Sequence, residues 1–314
     1  MKIAVFCPKS EFSEENQKRL ASLGEVVYTD TRKELKLSDL KALASNADII
    51  AIDPDNFGGF EKAKDVVTKL VETLPKLKGV ALSTTSYGWV DLDYFKKRNI
   101  LVSNVPGYSR ESVAEHAIAL LLCLAKRIIV TDRKIQKGQY KLERGFELKG
   151  KTLGIIGLGN IGSRVAEMAL GIGMKVISYN PSPRNQKGVE MKSLDGLFKE
   201  SDAISLHTRD YEGVKGLINK EAIEKMKNGV VIVNTVDRTL VNEEDMAKAI
   251  RDGKVYGYAY EAEDLENIPL AGVEGAVGIR GFGWYTKEAL ENMFKIWVDN
   301  IEAIVNDESQ NIVN

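Results

Sequence analysis

Short apolar runs alternate with amphipathic runs along almost the whole chain, and this alternation narrows the possible folds more than any other feature. From Lys2 to Asn104 the apolar runs are KIAVFC, GEVVYT, ADIIAID, KGVALS and NILVSN, separated by helical patterns at about Ser13–Ser22, Ser38–Ser45, Glu61–Thr73 and Asp91–Lys97. Strands joined by helices of that length pair in parallel. A parallel sheet must be covered on both faces, so the series predicts a doubly wound α/β layer. A long helix is expected from Arg110 to Val130, with Ser109 as its N-cap. After the looser segment TDRKIQKGQYKLERGFELKG a second series follows, with strands TLGIIG, KVISYN, AISLHT, VVIVNT, VYGYAY and GAVGI. A last helix from about Lys287 to Val305 and a polar tail close the chain. The expectation is an α/β protein with two doubly wound parallel sheets.

With 314 residues the chain can bury two cores without disulfide or metal staples. A formal net charge of -1, with both signs interspersed, argues against a nucleic-acid surface. Cys7 and Cys123 lie inside apolar runs and read as buried free thiols, which points to a reducing compartment. No spacing of ligand residues suggests a metal. The run AIALLLCLA is too short for a bilayer and is flanked by His116, Lys126 and Arg127. MKIAVFCPKS reads as a first strand and not as a signal peptide. The expected location is the cytoplasm, with no membrane partner.

The sharpest chemical signal is TLGIIGLGNIGSRVAEMAL. Gly157, Gly159 and Gly162 form G-x-G-x-x-G between an apolar strand and a helical pattern, which is the context that makes this motif specific. Gly157 permits the tight turn, Gly159 lets the backbone approach a pyrophosphate, and Gly162 lets the helix pack closely on the strand. The phosphates would meet free amides at the helix N-terminus. The plain alternative is three glycines in a turn. In NAD-binding folds an acid about 20 residues further on holds the ribose hydroxyls. Here that strand ends in Asn180, followed by PSPR. Loss of the carboxylate removes a repulsion against a 2′-phosphate, which Ser182 and Arg184 could contact. This favours NADP(H) over NAD(H). The alternative is that Asn180 binds a 2′-hydroxyl while Arg184 is solvated.

Taken in order, NVPGYSRESVAEHAIALLLCLAKRI, LGIIGLGNIGSRVAEMALGIGMKVISYNP, SDAISLHT, LINKEAIEKMKNGVVIVNT and LVNEEDMAKAI resemble the D-2-hydroxyacid dehydrogenase family, which includes phosphoglycerate, glycerate, D-lactate and formate dehydrogenases. The resemblance spans nearly the whole chain. It implies a Rossmann nucleotide domain at about 103–286 inserted into a flavodoxin-like substrate domain made of 1–102 and 287–314. It also implies a cleft that holds nicotinamide and a small substrate. A homodimer is implied, formed through the long helix and the arm near Gly138–Phe146. Asn160, Ile161, Thr235, Val236 and His207 then join the cofactor residues. Glu261 occupies the position of an aspartate that touches the nicotinamide amide. Thr85, Ser86 and Tyr87 match the loop whose amides hold the substrate carboxylate, although Ser86 stands where the family usually has glycine.

The same resemblance exposes a departure. Members bind the substrate acid with an arginine in a pattern like N-T-A-R-G-x-L-V and pass a proton through a histidine oriented by a glutamate. Aligned without a gap, Asn234 to Val241 put Asp237 at the arginine position, with Arg238 one place late. Gly281 falls at the histidine position, and the only histidines are His116 and His207. His116 reads as a core or interface residue and His207 as a positional neighbour of the cofactor. Glu266 matches the glutamate by spacing. Arg280 and Tyr285 are the candidate replacements, Arg280 either as a partner of Asp237 or as part of a new polar site. A general acid contributes roughly 10²–10⁴ in rate, so ordinary 2-keto acid reduction is expected to be very weak. Two functions follow: an oxidoreductase with an altered site acting on an unidentified small acid or carbonyl compound, or a catalytically silent nucleotide-binding redox sensor or scaffold.

Overall fold

A computed structural model describes residues 1–208, 212–262 and 267–314. Two compact units emerge, Met1–Ser109 with Lys287–Asn314, and Arg110–Thr286.

The first unit contains strands β1 (Lys2–Pro8), β2 (Glu25–Thr29), β3 (Ile49–Ile52), β4 (Gly79–Leu82) and β5 (Leu101–Ser103), with helices α1 (Glu14–Leu23), α2 (Leu37–Leu43), α3 (Gly59–Val71) and α4 (Leu92–Lys97). All neighbours pair in parallel, in the order β2-β1-β3-β4-β5. Side chains alternate across a strand, and both faces are buried here. Ala4 and Phe6 of β1 join one core with Leu40, Val67 and Phe95, whereas Ile3, Val5 and Cys7 join another with Leu20, Trp297 and Ile301. The second core draws on the last helix, which is α11 in chain order (Lys287–Val305). Buried Trp297 donates its Nε1–H to the Ala81 carbonyl at 2.9 Å, and buried Asn300 donates to the Asn104 carbonyl at 2.7 Å. The chain end therefore completes a sheet that the chain start began.

The second unit opens with α5 (Arg110–Ala125) and α6 (Ile128–Gln136). The single helix expected from Arg110 to Val130 is thus two. The break falls at Arg127, whose φ of 57° is left-handed. Its guanidinium lies over the Tyr256 ring at 5.0 Å and within 3.6 Å of Glu143 and 3.5 Å of Glu274, so tertiary contacts hold the conformation. Next come β6 (Thr152–Ile156), α7 (Asn160–Gly171), β7 (Lys175–Tyr179), β8 (Val189–Met191), α8 (Leu194–Glu200), β9 (Ala203–Leu206), α9 (Lys220–Lys225), β10 (Val230–Asn234), α10 (Glu243–Arg251), β11 (Val255–Ala262) and β12 (Ala276–Arg280). The parallel sheet runs β12-β11-β10-β9-β6-β7-β8. Edge strand β8, reading VEM and not fully buried, was not among the expected strands. Leu153, Ile155, Val231 and Val233 face one core and Ile156, Ile204, Val230 and Ile232 the other. Cys7 is buried, but Cys123 is only half-buried, contrary to the expectation for that thiol.

Candidate active site

Ligands of open parallel sheets bind beyond the carboxyl ends of the strands, where the strand order reverses. In the seven-stranded sheet that point lies between β6 and β9, and the glycine turn sits on it. Gly157 has φ 99°, and a Cβ there would lie 2.5 Å from the His207 carbonyl oxygen. A Cβ on Gly162 would lie 2.0 Å from the Gly157 carbonyl oxygen. Both positions are closed to any side chain by backbone. Gly159 differs, because nothing lies within 4 Å of where its Cβ would be. It is the N-cap of α7, no side chain caps that end, and the first turn holds no acid. As the first residues of α7, Asn160, Ile161 and Gly162 have amides with no preceding helical carbonyl to bond. Arg110 tethers the turn by donating its Nε–H to the Asn160 carbonyl at 3.1 Å, a contact 50 residues apart that sequence reading did not anticipate.

At the end of β7, Asn180 turns inward. Its Oδ1 accepts the Leu158 N–H at 3.1 Å, and its Nδ2 donates to the Ser182 carbonyl at 2.6 Å. An aspartate could make the first contact but would repel the second carbonyl. Ser182 and Arg184 are exposed, and among the described residues nothing pairs with Arg184. Gln186, also unforeseen, donates to the Ser163 carbonyl at 2.7 Å, while its Oε1 is buried without a partner.

At the end of β9, His207 Nε2 and Ser205 Oγ share a hydrogen bond at 2.7 Å. Burial pushes the imidazole pKa down to about 4, so the ring is neutral at pH 7. At the end of β10, Thr235 Oγ1 is buried without a partner among the described residues. Asn234 locks the following loop, donating to the Asp237 carbonyl at 2.7 Å and accepting the Val236 N–H at 3.0 Å. Half-buried Asp237 caps the next turn, its Oδ1 accepting the Thr239 N–H at 2.7 Å and hydroxyl at 2.6 Å. Its Oδ2 accepts no hydrogen bond among the described residues. Arg238 turns away and grips Glu243 through two hydrogen bonds, 2.8 and 2.7 Å. The pair expected between Asp237 and Arg280 does not form. Arg280 ends β12, two strands from β10, which places the two backbones roughly 10 Å apart; Arg280 is exposed and has no ion-pair partner among the described residues.

Glu261, near the end of β11, reaches the segment after β12. Its Oε1 accepts the N–H groups of Phe282 at 3.0 Å and Gly283 at 2.7 Å and lies 3.4 Å from His116 Nε2. That nitrogen is buried with no hydrogen bond, and burial outweighs Glu261 in lowering the His116 pKa. Glu261 therefore fastens the loop that carries Gly281, and His116, read from the sequence as a core or interface residue, backs it. Nothing in the spacing links His116 to Glu261. Tyr285 is 62% exposed and packs edge-on to Trp284 at 5.2 Å. Glu266 lies outside the described residues.

In the first unit, the loop after β4 is self-bonded. Thr84 Oγ1 donates to the Ser86 carbonyl and Thr85 Oγ1 to the Val105 carbonyl, each at 2.6 Å. Among the described residues no hydrogen bond takes up the backbone N–H of Thr85, Ser86 or Tyr87, and all three residues are exposed.

A family model described as "D-isomer specific 2-hydroxyacid dehydrogenase, NAD binding domain" matches residues 118–277. The hydroxypyruvate reductase of Thermotoga maritima is 37% identical over 239 residues, 75% of this chain and 76% of the relative. The glyoxylate reductase of Thermococcus litoralis is 34% identical over 263 residues, 78% and 80%. Among solved structures, an acyclic imino acid reductase (Bsp5) in complex with NADPH and D-Arg superposes with TM-score 0.84 at 27% identity over all of both chains. The D-lactate dehydrogenase of Aquifex aeolicus, complexed with NAD and lactic acid, gives 0.78 at 29% over 98% and 96%. The chain belongs to the D-isomer specific 2-hydroxyacid dehydrogenase family. Its seven-stranded unit is the NAD-binding domain of an oxidoreductase.

The residues present suit a nicotinamide dinucleotide. The open space over Gly159, the uncapped start of α7 and the orphaned Thr235 Oγ1 are each what such a ligand would fill. Among the described residues there is no cluster that could hold a metal ion, and no helix long and apolar enough to cross a membrane.

Proposed function

We propose that this protein is an NADP(H)-preferring oxidoreductase whose cofactor site is that of its family and whose reactive site is not. The amides of Asn160 to Gly162 bind the pyrophosphate, and Thr235 and Val236 flank the nicotinamide ribose. Ser182 and Arg184 receive the 2′-phosphate, with Asn180 holding their loop. Bound reduced nicotinamide supplies a hydride. His207, neutral, packs beside the cofactor, and Glu261 fixes the 281–283 loop. Asp237 stands where relatives present an arginine and Gly281 where they present a histidine, so 2-keto acids meet a carboxylate and find no proton carrier. The observation that carries this reading is the contrast at one sheet edge between the open, uncapped turn at Gly159 and the unpaired Asp237. The similarity to an imino acid reductase bound to NADPH supports the cofactor preference.

The apolar residues Ile128, Ile135, Tyr140 and Leu142, 49%, 53%, 86% and 85% exposed, support a homodimer through α6 and the arm after it. A cytoplasmic location fits the free thiols. Titrating the protein with NADPH and NADH by nucleotide fluorescence, then adding hydroxypyruvate, glyoxylate or D-lactate, tests the proposal. NADPH should bind about 10- to 100-fold more tightly, as one charged contact provides, with turnover near background. Equal affinities would reject the NADP(H) assignment, and brisk turnover would reject the altered site. The silent-sensor reading would gain if no compound, imines included, were turned over.

A further inference from the structure

We infer that the group reduced here is a protonated imine, held by Asp237, and not a ketone. The inference rests on the cofactor reading above and names the substrate class for that site.

Asp237 is fixed from two sides: its carbonyl by Asn234 and its Oδ1 by both donors of Thr239, the first of which makes it the cap of the next turn. This leaves Oδ2 as an uncommitted acceptor on a half-buried carboxylate just past the carboxyl end of β10, two residues after Thr235, whose Oγ1 is buried without a partner among the described residues. No cation of the described residues neutralises it. Arg238 is spent on Glu243, and Arg280 ends a strand two places away. A fixed, uncompensated carboxylate at a ligand edge selects a cation and repels an anion.

The proton inventory points the same way. Reducing a ketone develops an alkoxide that must be protonated. Among the described residues of the second unit no side chain is placed for that. His207 is tied to Ser205, His116 is buried behind Glu261, and the Tyr285 hydroxyl is exposed and unsupported. A protonated imine needs no such donor, because its nitrogen arrives with the proton. The imine carbon accepts the hydride pair as the C4–H bond of the reduced nicotinamide breaks. The C=N π pair becomes the nitrogen lone pair, leaving an amine and an oxidised nicotinamide, and the amine then takes a proton from water. Charge is discharged at nitrogen rather than developed at oxygen. Asp237 next to that nitrogen favours the protonated imine in the ground state.

The probes are 1-pyrroline, the N-methylimine formed from acetone and methylamine, and pyruvate alone. Each is offered to the NADPH-loaded protein, with amine and lactate products separated by mass spectrometry. Calorimetry of pyrrolidine against the NADP+-loaded protein reads binding without turnover. Wild type should reduce at least one imine about 100-fold faster than pyruvate and bind pyrrolidinium. Asp237→Asn keeps an oxygen to cap Thr239, so the loop should stand. It should weaken pyrrolidinium about tenfold or more and slow imine reduction with no gain on pyruvate, while Asp237→Glu retains binding. Pyruvate reduced as fast as the imines, or amine binding unchanged in Asp237→Asn, would overturn the proposal. NADPH affinity, measured separately on the same samples, decides whether the cofactor reading has failed instead.

Discussion

The two ends of one sheet edge make an instructive pair. Around β6 and β7, Gly157 and Gly162 are enclosed by backbone at 2.5 and 2.0 Å. Around β10 to β12, Asp237 caps a turn through Thr239, Arg280 ends its strand exposed to solvent, and Gly281 follows it, none of them enclosed as the two glycines are. The first region is held by packing the fold itself requires. The second is answerable only to the substrate. A family can therefore keep the former while the latter diverges, which is what we propose for this chain.

The sharpest way to break that contrast is Gly162→Ala. The added methyl meets the Gly157 carbonyl, so the expected cost is about 3 kcal/mol of stability, read by denaturant unfolding, together with loss of NADPH binding. Gly159→Ala should leave stability within about 0.5 kcal/mol while still weakening NADPH, because only the ligand needs that space. A Gly162→Ala protein as stable as wild type would show that the turn is not constrained in this way.

Acid should expose the same end. Folding lowers the His207 pKa from 6.5 to about 4, so below pH 6.5 the unfolded chain binds the proton that the fold refuses. The contribution is complete above pH 6.5 and is lost as the pH falls toward 4, by about 2–3 kcal/mol. Unfolding free energies of wild type and His207→Asn across that range should converge as the pH drops. Parallel curves would remove His207 from the buried role.

Smaller effects refine the comparison. Arg184→Ala should reduce NADPH affinity by about 10- to 100-fold and leave NADH unchanged; equal losses for both would place Arg184 elsewhere. Glu261→Gln keeps an acceptor for Phe282 and Gly283, so it should cost about 1 kcal/mol or less by thermal unfolding. Glu261→Ala, which strands both N–H groups, should cost more. Identical melting of the two would mean that the 281–283 loop is held by something else.

What could be read from the chain follows the same divide. Both parallel sheets and the glycine turn were legible, because strands buried on both faces and steric closure leave direct marks on residue type. The break at Arg127 was not, since a non-glycine residue takes φ 57° only through Tyr256, Glu143 and Glu274. Edge strand β8 lacks a continuous apolar run. The contact of His116 with Glu261 joins positions far apart in sequence, inside a helix that reads as plain core. The Asp237–Arg280 pair failed because spacing along the chain does not say that strand β11 lies between them.

One measurement bears most directly on the whole account: kcat/KM for hydroxypyruvate, taken on protein already shown to be saturated with NADPH. A saturable nucleotide site with kcat/KM below about 10² M⁻¹s⁻¹, far under the 10⁴–10⁸ of ordinary enzymes, is what an intact cradle beside an altered reactive edge predicts. A value of about 10⁴ M⁻¹s⁻¹ or higher, or no saturable NADPH binding at all, would contradict it.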